Sequence, residues 1–299
     1  MKVSVALASY NGARFIEEQL RSLAAQTLLP DELIVTDDGS EDQTVDIVLD
    51  FARTAPFDVK IFRNPKQLGY GHNFGNALAR CKGEIIFLCD QDDFWFPQKI
   101  KTIIDLSRAM PDKQLFMNNS IITDIFLQPT VFTKLDQAVA SGHLRDSFAQ
   151  GCCMAIRRQL LEVCQPMPIR VLLHDVWISH ISEAFSAKHV IDEPLQYYRR
   201  HDKNASQSLS SSLKKISWID IVSKRVEFYW AAIKILSKTP QEDNQLFLLQ
   251  DAVRIRLAHN LTALSSLETD KLFMTLKQLR QTSRSRRLRR YARSLPFLK

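Results

Sequence analysis

Short unbroken apolar runs alternate along the front of this chain with segments whose apolar residues recur every three or four positions. Val3 to Ala8 is a run of the first kind, and Phe15, Ile16, Leu20 and Leu23 then recur at helical spacing as far as Gln26. Leu33 to Thr36 makes a second run, followed by Val45, Ile47, Val48, Leu49 and Phe51 at helical steps. Val59 to Phe62 is a third run, Asn73 to Arg80 a third helix behind Gly69-Tyr70-Gly71, and Ile85 to Cys89 a fourth run. Runs that are apolar throughout belong to strands covered on both faces. Strands alternating with helices at this pitch predict an α/β fold, a parallel sheet wound with helices.

Polar residues mark where each strand stops. Ser9-Tyr10-Asn11 ends the first, Asp37-Asp38-Gly39-Ser40 the second and Asn64 the third, while Asp90-Gln91-Asp92-Asp93 ends the fourth ahead of Phe94-Trp95. Ligands of such sheets bind beyond the carboxyl ends of the strands, where the strand order reverses. Three carboxylates in four positions at a buried strand end repel one another, and a divalent cation is the simplest compensation. A solvated acidic turn is the bland reading of the same residues. Asp37 to Ser40 likewise reads as an ordinary turn and helix cap when taken alone.

Neither GxGxxG after the first strand nor GxxxxGK[ST] is present, which argues against dinucleotide oxidoreductases and P-loop NTPases. Five cysteines, Cys81, Cys89, Cys152, Cys153 and Cys164, lack CxxC spacing and read as reduced core thiols. Gly151-Cys152-Cys153 reads as small residues on an acceptor-side strand. Trp95, Phe94 and Trp177 read either as packing or as walls of an acceptor site. Met1 to Ala8 is too short for a signal peptide, and no stretch approaches the roughly 18 apolar residues of a membrane span, so a cytoplasmic protein is expected.

Charge divides the chain of 299 residues unevenly. From residue 205 onward there are 18 Lys and Arg against 7 Asp and Glu, and before it 22 against 26. A serine-rich link, Ser206 to Ser212, precedes a helical stripe of Leu246, Leu249, Val253, Leu257, Leu261 and Leu264. Seven arginines lie between Arg280 and Arg293. They form either a solvated basic tail or a docking segment for an anionic membrane surface on the inner face of the cell membrane. A nucleic-acid partner is not expected, because nothing in the front two-thirds supplies a basic groove.

The segments VSVALASYNGARFIEEQLRSLAAQT, DELIVTDDGSEDQT, NPKQLGYGHNFGNALARCKGEIIFLCDQDDFW, GCCMAIRRQLL, HDVWIS and DEPLQYYRRHDKNAS together resemble the family 2 glycosyltransferases of the GT-A fold. The DQDDxW form with later HDxW and YRxHxxN is most similar to bacterial rhamnosyltransferases that use dTDP-rhamnose. The resemblance implies a Rossmann-like GT-A domain over residues 1–207, with a nucleotide-sugar half (1–100) and an acceptor half (101–207), and a basic helical extension over 208–299. Two positions depart from the family pattern: Ala8 stands where Thr or Ser is usual, and His72-Asn73 where Arg-Asn is common.

Carried over by position, the resemblance implies a nucleotide pocket from Ala8, Tyr10 and Asp38, with Asp38 toward the base. It places a DXD-type metal element on Asp90, Asp92 and Asp93. Asp92 and Asp93 are the expected ligands of Mg²⁺ or Mn²⁺, with Asp90 reaching the metal through water or binding the sugar hydroxyls. Asp175 is the implied catalytic base, although on its own it reads as a helix cap. Arg200 and His201 are expected to close over the diphosphate, and Gly151, His174 and Trp177 to shape acceptor choice. The expected partners are a nucleotide-diphosphate sugar donor and a saccharide or lipid-linked saccharide acceptor of surface polysaccharide synthesis. A UDP-hexose donor and a non-catalytic glycan- or nucleotide-binding relative are the alternatives.

Overall fold

In the computed structural model the described residues are 1–142, 144–165, 174–202 and 204. The chain divides into two units, Met1–Asn204 and Ala205–Lys299. The serine link, the leucine stripe and the arginines of 280–293 lie outside the described residues. None of the described helices is long and apolar enough to cross a membrane.

Four parallel strands organise the front unit: β1 (Val3–Ser9), β2 (Glu32–Asp37), β3 (Asp58–Arg63) and β4 (Ile85–Asp90). Helices α1 (Ile16–Ala24), α2 (Thr44–Ala52) and α3 (Tyr70–Arg80) connect them. The third helix starts at Tyr70, earlier than its apolar spacing indicates, because Gly69 turns into it at φ 82°, a conformation that favours glycine.

Next in the chain come β5 (Phe94–Trp95), α4 (Lys99–Ala109), β6 (Leu115–Thr123), β7 (Pro129–Thr133) and α5 (Lys134–Ala140). The unit closes with β8 (Met154–Arg157), α6 (Arg158–Cys164), α7 (His174–Ala184) and β9 (Lys188–Arg199). The sheet order is β3-β2-β1-β4-β8-β6-β9-β5, with β7 paired to β6.

The order reverses between β1 and β4. Register there sets Ala8 beside Asp90, and on the other side of β1 sets Ser9 beside Asp37. The strand ends are therefore level, and the loops leaving them open on one crevice. Beneath it Val5, Leu7, Leu33, Val35, Ile85, Phe87 and Trp95 form a continuous buried core with α1 and α4. All five cysteines are buried and unbridged, and burial pushes the Cys81 thiol up to about 12.

The structure corrects one sequence reading and decides another. Gly151-Cys152-Cys153 is a 3-10 turn ahead of β8, closed by Cys153 N–H donating to the Gln150 carbonyl. The turn frees the Cys152 carbonyl from any ladder and aims it at a buried lysine, Lys99. Trp95 and Trp177 are fully buried, and the Trp177 indole donates to the Cys164 carbonyl at 3.0 Å, so both are packing residues and not acceptor walls.

Candidate active site

The β2 tip is held by hydrogen bonds at every turn. Asp37 is buried and accepts from the Ser9 hydroxyl (3.0 Å), the Gly39 and Ser40 N–H groups (3.2 and 2.9 Å) and the Ser40 hydroxyl. Asp38 accepts from Asn64 Nδ2 (2.9 Å) and from the N–H groups of Leu68 and Gly69 (2.8 Å each). A carboxylate offers about four lone-pair sites, so one remains for a ligand. Asp38 therefore first fastens the loop 64–69 that delivers α3. Asn64, Asn73 and Asn76 extend this network through their amides.

Ala8 and Tyr10 stand at the β1 end, Tyr10 with its ring exposed. Gln91 of the neighbouring strand tip holds Tyr10 in place, its amide oxygen accepting from the Tyr10 N–H and its amide nitrogen donating to the Tyr10 carbonyl, both at 3.0 Å.

The β4 tip is different in kind. After Asp90 a two-residue turn, Gln91-Asp92, folds Asp93 back under the strand end. Carboxylate oxygens of Asp90 and Asp93 and the Cys152 sulfur come within 4.8 Å of one another. Burial, then the charges of Asp93, Asp92 and Asp175, push the Asp90 carboxyl well above the usual range. Burial and the Asp92 charge bring Asp93 up to about 7. Asp93 is fully buried and accepts from Gln196 Nε2 (2.8 Å) and the Arg199 N–H (3.2 Å). Asp92 turns the other way, its Oδ2 lying 2.7 Å from His201 Nε2 and 3.2 Å from Asn204 Nδ2.

Across the crevice, Asp175 is half-buried in the first turn of α7. Gly151 packs against it: a Cβ there would lie 2.8 Å from His174 Nε2 and 3.7 Å from the Asp175 Cβ. Burial lowers the His174 basicity, and burial with the Asp175 charge raises the Tyr70 phenol to about 12. The Tyr70 hydroxyl and both His174 ring nitrogens have no partner among the described residues, although His174 stacks on Phe74 at 4.3 Å.

The model of glycosyl transferase family 2 matches residues 4–164, which is more than half of the chain. The chain belongs to this family. The dTDP-rhamnosyl transferase RfbG of Shigella flexneri is 25% identical over 228 residues, 71% of this chain and 78% of that protein. S. aureus TarS in complex with UDP-GlcNAc superposes with a TM-score of 0.64 at 17% identity, over 99% of this chain and 88% of that one. The mannosyltransferase PcManGT from Pyrobaculum calidifontis, in complex with GDP-Man and Mn²⁺, gives 0.58 at 18% identity, over 99% and 84%. The fold of this glycosyltransferase is GT-A.

The acid loop of this family 2 glycosyltransferase suits a hard divalent cation. A half-buried carboxylate, Asp90, and a buried one, Asp93, both with raised basicity, face each other and, among the described residues, lack a positive partner between them. Burial also holds the neighbouring Cys152 thiol well above its ordinary value, which keeps it protonated and leaves oxygen donors. Asp90 and Asp93 could offer those oxygens, while Asp92 lies against the His201 ring. The sequence reading grouped Asp92 with Asp93; the turn instead groups Asp90 with Asp93 and hands Asp92 to His201.

Sequence reasoning missed four residues of this site. Arg199, buried, donates its Nε to the Asp92 carbonyl (2.9 Å), pairs with Glu18 and reaches the Ile125 carbonyl (2.7 Å). Strand alternation was the available signal, since it turns Arg199 inward and Arg200 the other way. Asn204 belongs to the YRxHxxN motif, whose spacing alone assigns it no role. Lys99 and Gln196, both fully buried beneath Asp93, carried no signal at all: each reads as an ordinary polar residue near an element end.

Proposed function

We propose that this glycosyltransferase is metal-dependent and inverting, and that it moves rhamnose from dTDP-rhamnose onto a saccharide acceptor in surface polysaccharide assembly. The observation that carries the mechanism is the gathering of Asp90, Asp92 and Asp93 at the β1/β4 reversal, opposite Asp175. The relation to RfbG favours the rhamnosyl donor over a UDP-hexose.

Tyr10 lies against the nucleotide base, and the remaining lone pair of Asp38 accepts from it. Asp90, Asp92 and Asp93 hold the cation, with His201 and Arg200 on the diphosphate side. A bound divalent cation stabilises the charge that grows on the departing diphosphate. Asp175 accepts the proton of the attacking hydroxyl as that oxygen meets the anomeric carbon from the face opposite the diphosphate. One displacement of this kind inverts the anomeric configuration and needs no second nucleophile.

The acceptor lies on the Gly151 side, where the absence of a side chain lets the His174 ring pack close against the turn beside the base. The basic segment of 280–293 docks the enzyme on anionic membrane lipid, near lipid-linked acceptors. Flotation with anionic vesicles, weakened by salt and lost on truncation before Arg280, is the expected result; salt-insensitive or absent binding removes the docking role.

The deciding experiment is thermal stabilisation by dTDP, UDP and GDP with and without Mn²⁺ or Mg²⁺, followed by a donor assay. A ligand at about one hundred times its Kd stabilises by about 2.7 kcal/mol. Metal-dependent stabilisation by dTDP above UDP is expected. A UDP preference overturns the rhamnosyl donor, and no response to any pair favours the non-catalytic alternative.

A further inference from the structure

Lys99 occupies a place that is unfavourable for a lysine in three respects. It is fully buried, it opens α4 at the helix end where the dipole disfavours cations, and burial lowers its basicity. A leucine or methionine would suit the position better if packing alone decided it. Its ammonium instead donates to the Cys152 carbonyl (3.0 Å) and to Gln196 Oε1, and lies 3.8 Å from the centre of the Trp95 ring. Each of these neighbours is an acceptor or a π face, a surround that only a donor satisfies.

Gln196 sits opposite Trp95 in the β5/β9 pair, between Lys99 and Asp93. Its oxygen faces Lys99 and its nitrogen donates to Asp93 Oδ2 at 2.8 Å. The reverse orientation would set an NH₂ against an ammonium and a carbonyl against a carboxylate. A lysine has no acceptor, so it selects one of the two amide orientations. We propose that Lys99 is a positioning residue of the acid loop: by orienting the Gln196 amide it holds the Asp93 carboxylate in the place from which it serves the cation site. Lys99 touches neither substrate nor metal. It also ties the two halves of the site together, since the same ammonium anchors the Cys152 carbonyl in the turn next to Gly151.

Two measurements test this, and they fail separately. The first is the crystal structure of Lys99→Met, whose side chain keeps the length of the apolar stem. The expected result is that Gln196 releases Asp93 and the carboxylate moves; an Asp93 superposing on the wild type overturns the proposal. The second is Mn²⁺ alone, titrated into the full-length protein and followed by the electron paramagnetic resonance signal of the free ion. Removing a partner that orients a ligand typically weakens metal binding 10–100-fold, and that loss is expected in Lys99→Met.

Gln196→Leu should show the same loss with Lys99 intact, and adding Lys99→Met to it should cost nothing further. Mn²⁺ binding within about twofold of wild type in both single variants, with only a lowered melting temperature, identifies a merely structural role and overturns the proposal. If wild-type protein binds no Mn²⁺, the metal-dependent reading fails, and the position of Asp93 in the Lys99→Met crystal then decides the positioning role by itself. Should Lys99→Met not fold, the same two readouts on Lys99→Leu, which also removes the donor facing Gln196, carry the decision.

Discussion

Two acidic strand tips stand side by side in this sheet and do opposite things. At the end of β2, Asp37 and Asp38 are met by hydroxyls, N–H groups and an asparagine amide, and the acids serve as the pins of a turn. At the end of β4, burial first and neighbouring charge second raise the basicity of both acids, Asp93 and Asp92 acting on Asp90 and Asp92 on Asp93. Each tip is a short acidic run after a buried strand. The difference lies in the donors each receives: both acids of the first pair are met several times over, by their own turn, Ser9 and the loop 64–69, whereas in the second, among the described residues, only Asp93 receives donors, from Gln196 and Arg199 of β9. A tip whose charge is locally satisfied stabilises the fold. One left with surplus negative charge is unstable without a cation and is therefore suited to chemistry.

The comparison breaks most visibly through activity. Asp175→Asn keeps the helix start and removes the base, so transfer is expected to fall about 10²–10⁴-fold while the melting temperature stays near wild type. Full transfer by a folded variant removes Asp175 from the mechanism. Asp37→Ala should do the reverse, leaving several buried donors unpaired at a cost of about 3 kcal/mol in chemical denaturation. A fully stable Asp37→Ala would make the two tips alike.

Asp90→Asn sharpens the contrast with a change of opposite sign. It relieves the mutual repulsion at the β4 tip, so the metal-free protein should melt higher although turnover drops. A lower melting temperature would show that the acid cluster stabilises the fold after all.

A further effect tests the acceptor side. His174 has its basicity lowered by burial, so between that lowered value and about 6.5 the unfolded chain binds the proton more readily than the folded one. Stability from this group is thus full above about pH 6.5 and declines on acidification, by at most about 1.4 kcal/mol per pH unit. His174→Phe should flatten that slope in melts from pH 7 to 5, and an unchanged slope would exclude His174 as its source.

The smallest expected effect concerns the link between the β4 tip and the β1 end. A methyl group at Gly12 would strike the Gln91 amide, so Gly12→Ala should displace the clamp on Tyr10. We expect about 1 kcal/mol of lost stability and a few-fold rise in nucleotide-sugar KM. An unchanged KM would show that Tyr10 needs no clamp.

What the amino-acid order determined by itself was whatever depends on near neighbours. The apolar runs set the strands β1 to β4, their helical intervals set α1 to α3, and the polar residues closing each run located the crevice. The motif order also carried the family, because family 2 glycosyltransferases keep these segments in a legible succession. Periodicity failed at Gly151 to Cys153, where a 3-10 turn answers the needs of a lysine some fifty positions away in the chain. Singling out Arg200 passed over a signal that periodicity did carry, since alternation along β9 turns Arg199 inward. Tertiary structure alone gave Asp92 to His201 and set Gln196 between Lys99 and Asp93. The physical reason is that hydrogen bonding and charge interaction depend on distance in space. Those partners come from elements roughly a hundred residues apart, which only the closed sheet brings within reach.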